Sequence, residues 1–130
     1  MRYDAVMETS IVIEAGGKTL RAELNDSPAA RRVAEALPLK VTMSRWGDEY
    51  YGSAGLVIPE DSSARELMEV GEIAYWPPGK ALCIFFGPTP ASTDDRPRAA
   101  SGVLPIGRIM EGIGALPGLG SRVKAVFRKA

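Results

Sequence analysis

The sequence predicts a mostly-β fold, a closed barrel of about eight short strands with one or two short capping helices. Three observations carry it. Short segments rich in β-branched residues or alternating apolar and polar residues recur along the chain. Turn sequences such as Gly16-Gly17, Gly47-Asp48 and Pro77-Pro78-Gly79 separate them. Only one good stretch repeats its apolar residues at helical spacing. Many short strands with regular turns suit a barrel or a sandwich. With 130 residues, no linker and no internal repeat, one domain over residues 1–130 is the simplest organisation.

Thr9 to Glu14 is β-branched and reads as a strand. After Gly16-Gly17, Leu20, Ala22 and Leu24 alternate with polar neighbours, which completes a hairpin. Asn25-Asp26-Ser27-Pro28 is a helix start, with Ser27 as N-cap and Pro28 at the first helical position. Ala30, Val33, Ala34 and Leu37 then lie on one helical face, and Pro38 ends the helix. Leu39 to Trp46 returns to alternation. Glu49–Gly52 and Leu56–Ile58 are short strand candidates, and Ser63-Ala64-Arg65-Glu66 has the pattern of a capping box. Glu72–Trp76 is a strand. Ala81–Phe86 is almost wholly apolar and is expected at the centre of a sheet, buried on both faces. A loop from Gly87 to Gly102, long enough to suggest function, precedes the last strands, Val103–Met110 and Arg122–Phe127. Gly112, Gly114, Gly118 and Gly120 lie between those strands. Pro117 falls where a phosphate-binding pattern needs its third glycine, so this reads as a turn.

Composition narrows the chemistry. Lys plus Arg and Asp plus Glu number 16 each, and the basic residues are scattered, which argues against nucleic acid as a partner. The sequence holds no histidine, which removes Ser-His-Asp and Cys-His catalysis. With a single cysteine, Cys83, a closed zinc site and an intrachain disulfide are both ruled out. No metal or other cofactor is expected. Lone Cys83, the absence of a leader-like start and the absence of a long apolar run lead us to expect a cytoplasmic chain with no membrane partner.

Several of these segments match a known pattern. The opening strands followed by Ser27–Pro38 are similar to the start of cyclophilins, where a helix with a proline near its start caps the barrel. Ala81–Phe86 resembles the cyclophilin strand with two adjacent phenylalanines, and Leu104–Ile109 resembles the later strand ending in aromatic-Gly-Lys-Val. Gly71–Pro90 looks like the signature of the short bacterial and archaeal cyclophilin-like proteins of uncharacterised function. The resemblance covers about residues 10 to 127 and implies a closed cyclophilin-like β-barrel.

Cyclophilins are peptidyl-prolyl isomerases, so the resemblance implies a substrate with an Xaa-Pro bond. Rotation about that bond faces a barrier of about 18–20 kcal/mol, because amide resonance must be broken. A pocket for the proline ring and a donor to the twisted amide lower it without a nucleophile. The family donor is an arginine in an aromatic-His-Arg pattern. Met43-Ser44-Arg45-Trp46 stands at that place, which makes Arg45 the catalytic candidate. The alternative is that Arg45 pairs with Asp48 or Glu49 at the strand end. Phe86 is the expected wall of the proline pocket, with Phe85, Met43, Trp46 and Tyr51 as further substrate contacts. Phe85 and Phe86 point to opposite sheet faces, so both being core is the competing reading.

The sequence also departs from the family pattern. The family histidine has no counterpart near Val103, Cys83-Ile84 replaces the glutamine before the double phenylalanine, and the pocket tryptophan is not matched. Two functions follow. One is an isomerase of modest activity; the other is a non-catalytic module that binds a peptide or small molecule in the same groove beneath the Gly87–Gly102 loop. A third, a subunit of a larger enzyme, predicts an exposed apolar patch at Tyr75-Trp76-Pro77. The sequence does not specify an oligomeric state.

Overall fold

The structure is a computed structural model that describes residues 8–130. Residues 1–7, on which the expectation about a leader rests, lie outside the described residues. Among the described residues, nine strands form: β1 Thr9–Ala15, β2 Lys18–Leu24, β3 Leu39–Arg45, β4 Glu49–Ser53, β5 Arg65–Leu67, β6 Glu72–Trp76, β7 Ala81–Phe85, β8 Arg98–Glu111 and β9 Arg122–Lys129. One α-helix, α1 Pro28–Ala36, and two short 3-10 segments, Pro77–Gly79 and Ile113–Gly118, complete the elements among the described residues.

The strands pair in the order β2-β1-β9-β3-β4-β7-β6-β8, and β2 also pairs with β8. That last pairing closes an antiparallel barrel and removes its open edges. Closure brings backbones close at Gly107 of β8, which faces Leu24; a Cβ there would overlap the Glu23 carbonyl. The short β5 pairs only with β8, outside the barrel.

Strand alternation sorts the side chains. Ile11, Ile13, Leu20, Leu24, Met43, Tyr50, Ile73, Leu82, Ile84, Leu104 and Phe127 point inward and form the interior core. The α1 face of Ala29, Ala30 and Val33 joins it. Ser27 Oγ accepts the Ala30 N–H at 3.2 Å, the N-cap expected from sequence, and such a cap contributes about 1 kcal/mol. A second apolar cluster lies on the outer face of β6 and β7. Ala74, Cys83 and Phe85 are covered there by Met68 and by Ala99 and Val103 of β8. Ala81–Phe85 is therefore buried on both faces, as its unbroken apolar run anticipates.

Three expectations change in detail. Leu56–Ile58 forms no strand. Gly55 precedes it with φ +73°, Pro59 follows it, and Ile58 instead gives its N–H to the Tyr75 hydroxyl at 3.2 Å. Ser63–Glu66 forms no helix start, because Asp61 takes both the Ser63 N–H and its hydroxyl. Arg65 then enters β5 and makes a two-pronged ion pair with Glu72 at 3.0 and 2.6 Å. The last long strand starts at Arg98 rather than Val103, which shortens the preceding loop. That loop is tied down internally: Thr89 N–H reaches Ser92 Oγ at 2.9 Å, and Ser92 Oγ reaches the Arg96 carbonyl at 2.7 Å.

Candidate functional site

The β3–β4 hairpin carries most of the candidate residues. Its two-residue turn is Gly47-Asp48. Trp46 and Glu49 exchange backbone hydrogen bonds across it, at 2.8 and 3.2 Å. Gly47 has φ +61°, a conformation that favours glycine, and a Cβ there would come within 2.7 Å of Pro90. The tight turn fixes the phase of both strands. Arg45 faces Tyr50 in the register and Ser44 faces Tyr51. Arg45 and Tyr50 consequently share the inner face, while Trp46, Glu49 and Tyr51 share the outer one.

On the inner face, Arg45 lies over Phe86 with its guanidinium carbon 5.1 Å from the ring centroid. Phe86 stacks on Tyr50, with centroids 5.6 Å apart and ring planes 20° apart. The Arg45 guanidinium donates to the Gly47 carbonyl, the Pro117 carbonyl and Asp48 Oδ1, each at 2.8 Å. The Tyr50 hydroxyl donates to the Gly120 carbonyl. Asp48, one of the two partners the alternative reading named, thus holds Arg45. The cluster ties the β3–β4 turn to the glycine-rich segment before β9. Its polar groups are matched.

The outer face differs. A cleft of about 250 Å3 runs there, lined by Trp46, Glu49, Tyr51, Trp76, Ala99, Ala100 and Val103. Ala99 and Ala100 open β8, so the cleft sits where the chain returns from the Gly87–Pro97 loop. The Trp76 indole N–H is held by Ser101 Oγ at 2.8 Å, which leaves the ring as a fixed wall. Glu49 is only 5% exposed, and its Oε1 has no hydrogen-bond partner. Burial raises its carboxyl from 4.5 to about 7, while a hydrogen bond with the Cys83 thiol pulls the other way. Cys83, itself buried, is pushed well above the ordinary thiol range by burial and by the Glu49 charge, so it stays protonated. It is therefore the donor to Glu49.

The structure thus divides the residues singled out from sequence. It brings Arg45 and Phe86 together and puts Met43 inside the barrel, 1% exposed. It puts Trp46 and Tyr51 in the cleft on the opposite face. Phe85, fully buried, sits in the outer cluster beside Tyr51 and Trp76. Tyr75 is 1% exposed, so no continuous patch forms at Tyr75-Trp76-Pro77. The sequence names Glu49 only as a partner for Arg45 and leaves Trp76 out of the expected substrate contacts. Counting outward from the Gly47-Asp48 turn would have found Glu49, because it shares phase with Trp46 and Tyr51. Among the described residues, no three acidic or cysteine side chains converge as a metal site would require, and no helix is long and apolar enough to cross a membrane.

Comparison with known proteins agrees with this architecture. A family model described as Cyclophilin-like matches residues 8–128. The solution structure of a hypothetical protein from Archaeoglobus fulgidus is 37% identical, with a TM-score of 0.79; the match covers 95% of this chain and 96% of that one. No curated protein matches.

Proposed function

Since the chain belongs to the cyclophilin-like family, whose fold hosts more than one function, we propose that it is a non-catalytic binding module that takes a small, largely apolar ligand in the outer cleft. One observation carries this reading. The cleft joins aromatic walls, Trp46, Tyr51 and Trp76, to a single buried polar group, Glu49. Ligand sites combine apolar lining with a few convergent polar groups in this way.

An isomerase acting through Arg45 is the second reading, supported by the contact between Arg45 and Phe86. Three observations weigh against it. The three hydrogen bonds of Arg45 point to its own turn and to Pro117. Its ring partner Phe86 packs against the interior core. Both lie across the sheet from the cleft.

Both tryptophans of the chain line the cleft, so their indole N–H resonances report on it directly. Small aromatic fragments are expected to shift both indoles; an absence of any shift at millimolar fragment would contradict the binding reading. Exchange NMR on an Ala-Pro-Phe peptide is expected to show no faster cis/trans interconversion, a process that takes roughly tens of seconds uncatalysed. Acceleration that disappears in Arg45→Ala would establish the isomerase instead.

A further inference from the structure

We propose that the cleft selects a small organic ammonium with an apolar body, its charged nitrogen set against Glu49 and its body against the aromatic walls. This rests on the reading that the cleft is a ligand site, and it deepens that reading by naming the ligand's charge.

Glu49 lacks a counter-ion. Its Oε1 is buried and unpartnered, and the residue is only 5% exposed. An uncompensated carboxylate in such a place is strongly unfavourable. Among the described residues, the barrel offers it no cation. None of the cleft-lining residues is Lys or Arg, and Arg45 faces the other way, bound to Asp48. The thiol of Cys83 gives Glu49 one weak donor from β7. Tyr51 on β4 is the remaining titratable side chain in the lining, and β6 and β8 contribute Trp76, Ala99, Ala100 and Val103, which carry no charge.

A bound ammonium supplies what is missing. It brings a donor and a positive charge to the Glu49 carboxylate in a low-dielectric site, where charge-assisted hydrogen bonds are strongest. The faces of Trp46, Trp76 and Tyr51 attract cations and repel anions through their ring quadrupoles. An anionic ligand meets the Glu49 charge as well, and a neutral one leaves it uncompensated.

The test uses three probes of similar shape and different charge: 2-phenylethylamine, 2-phenylethanol and phenylacetate. Binding is read from the indole N–H resonances of Trp46 and Trp76. At about pH 8 the amine is expected to bind about tenfold or more tightly than the alcohol, with phenylacetate weakest. Glu49→Gln is expected to erase that preference. In the native protein, amine affinity is expected to fall below about pH 7 toward that of the alcohol, as Glu49 takes up its proton. This pH series tests the proposal even if Glu49→Gln does not fold. Equal binding of amine and alcohol, indifferent to pH, overturns the ammonium proposal and leaves the cleft a ligand site. Failure of all three probes at millimolar concentration overturns both.

Discussion

The two faces of the β3–β4 hairpin use similar residues for opposite ends. Inside, a charged residue and two aromatic rings, Arg45, Phe86 and Tyr50, satisfy one another and brace the barrel end against the glycine-rich segment. Outside, a charged residue and three aromatic rings, Glu49, Trp46, Tyr51 and Trp76, surround an opening, and the charge lacks a partner. The difference teaches that satisfaction, more than residue type, separates a structural cluster from a site. A group whose hydrogen bonds are all made has little left to offer a ligand, whereas a buried group left short stores free energy that a ligand can recover.

Breaking the inner cluster gives the largest expected effect. Tyr50 is fully buried and stacked on Phe86, and Tyr50→Ala is expected to destabilise the fold by about 3–5 kcal/mol in urea unfolding.

Next comes Glu49→Gln, with the opposite sign. The folded carboxyl sits near 7 against an ordinary 4.5. Between those values the native state keeps a proton that the unfolded chain has released, so raising the pH favours unfolding. Stability from this group is full below about 4.5 and lost as the pH rises through about 7. At about 1.4 kcal/mol per pH unit, Glu49→Gln is expected to stabilise the protein by up to about 3 kcal/mol at about pH 8, with little change at about pH 4. Paired urea titrations at the two pH values check both the sign and the window. A carboxylate whose removal strengthens the fold is held there at the fold's expense, as functional groups often are.

Arg45→Ala is expected to weaken the fold by about 1–2 kcal/mol, since its hydrogen bonds are partly exposed. Thermal unfolding of that variant measures the loss. The smallest effect on stability belongs to Tyr51→Ala, at about 1 kcal/mol or less, although it removes a wall of the cleft and is expected to weaken binding of 2-phenylethylamine. Tyr50→Ala and Tyr51→Ala thus separate the two faces with neighbouring residues.

Much of the fold was legible because it rests on local pattern. The Gly16-Gly17 hairpin, the Ser27-Pro28 helix start and the doubly buried Ala81–Phe85 strand each carry a signal a few residues long. Leu56–Ile58 and Ser63–Glu66 were misread because tertiary partners override local preference there: Tyr75 claims one segment, and the Arg65–Glu72 pair draws the other into β5. The site was only half legible. Family likeness pointed to Arg45 and Phe86, and chemistry-bearing residues do gather around the β3–β4 hairpin. That likeness put Arg45 and Trp46 in one groove, although neighbours in a strand face opposite sides of the sheet. The sequence did not show that Ala99 and Val103, far along the chain, return over β6 and β7 to bury the Glu49 side. Burial of a single carboxylate by a distant strand has no local signature.

One measurement tests the contrast between the two faces most directly: titration of 2-phenylethylamine into the native protein, Arg45→Lys and Glu49→Gln at about pH 8, followed through the two indole N–H resonances. Affinity is expected to be unchanged in Arg45→Lys and to fall about tenfold or more in Glu49→Gln. Affinity lost with Arg45 and kept without Glu49 would contradict that contrast, and would move the site to the inner end of the barrel.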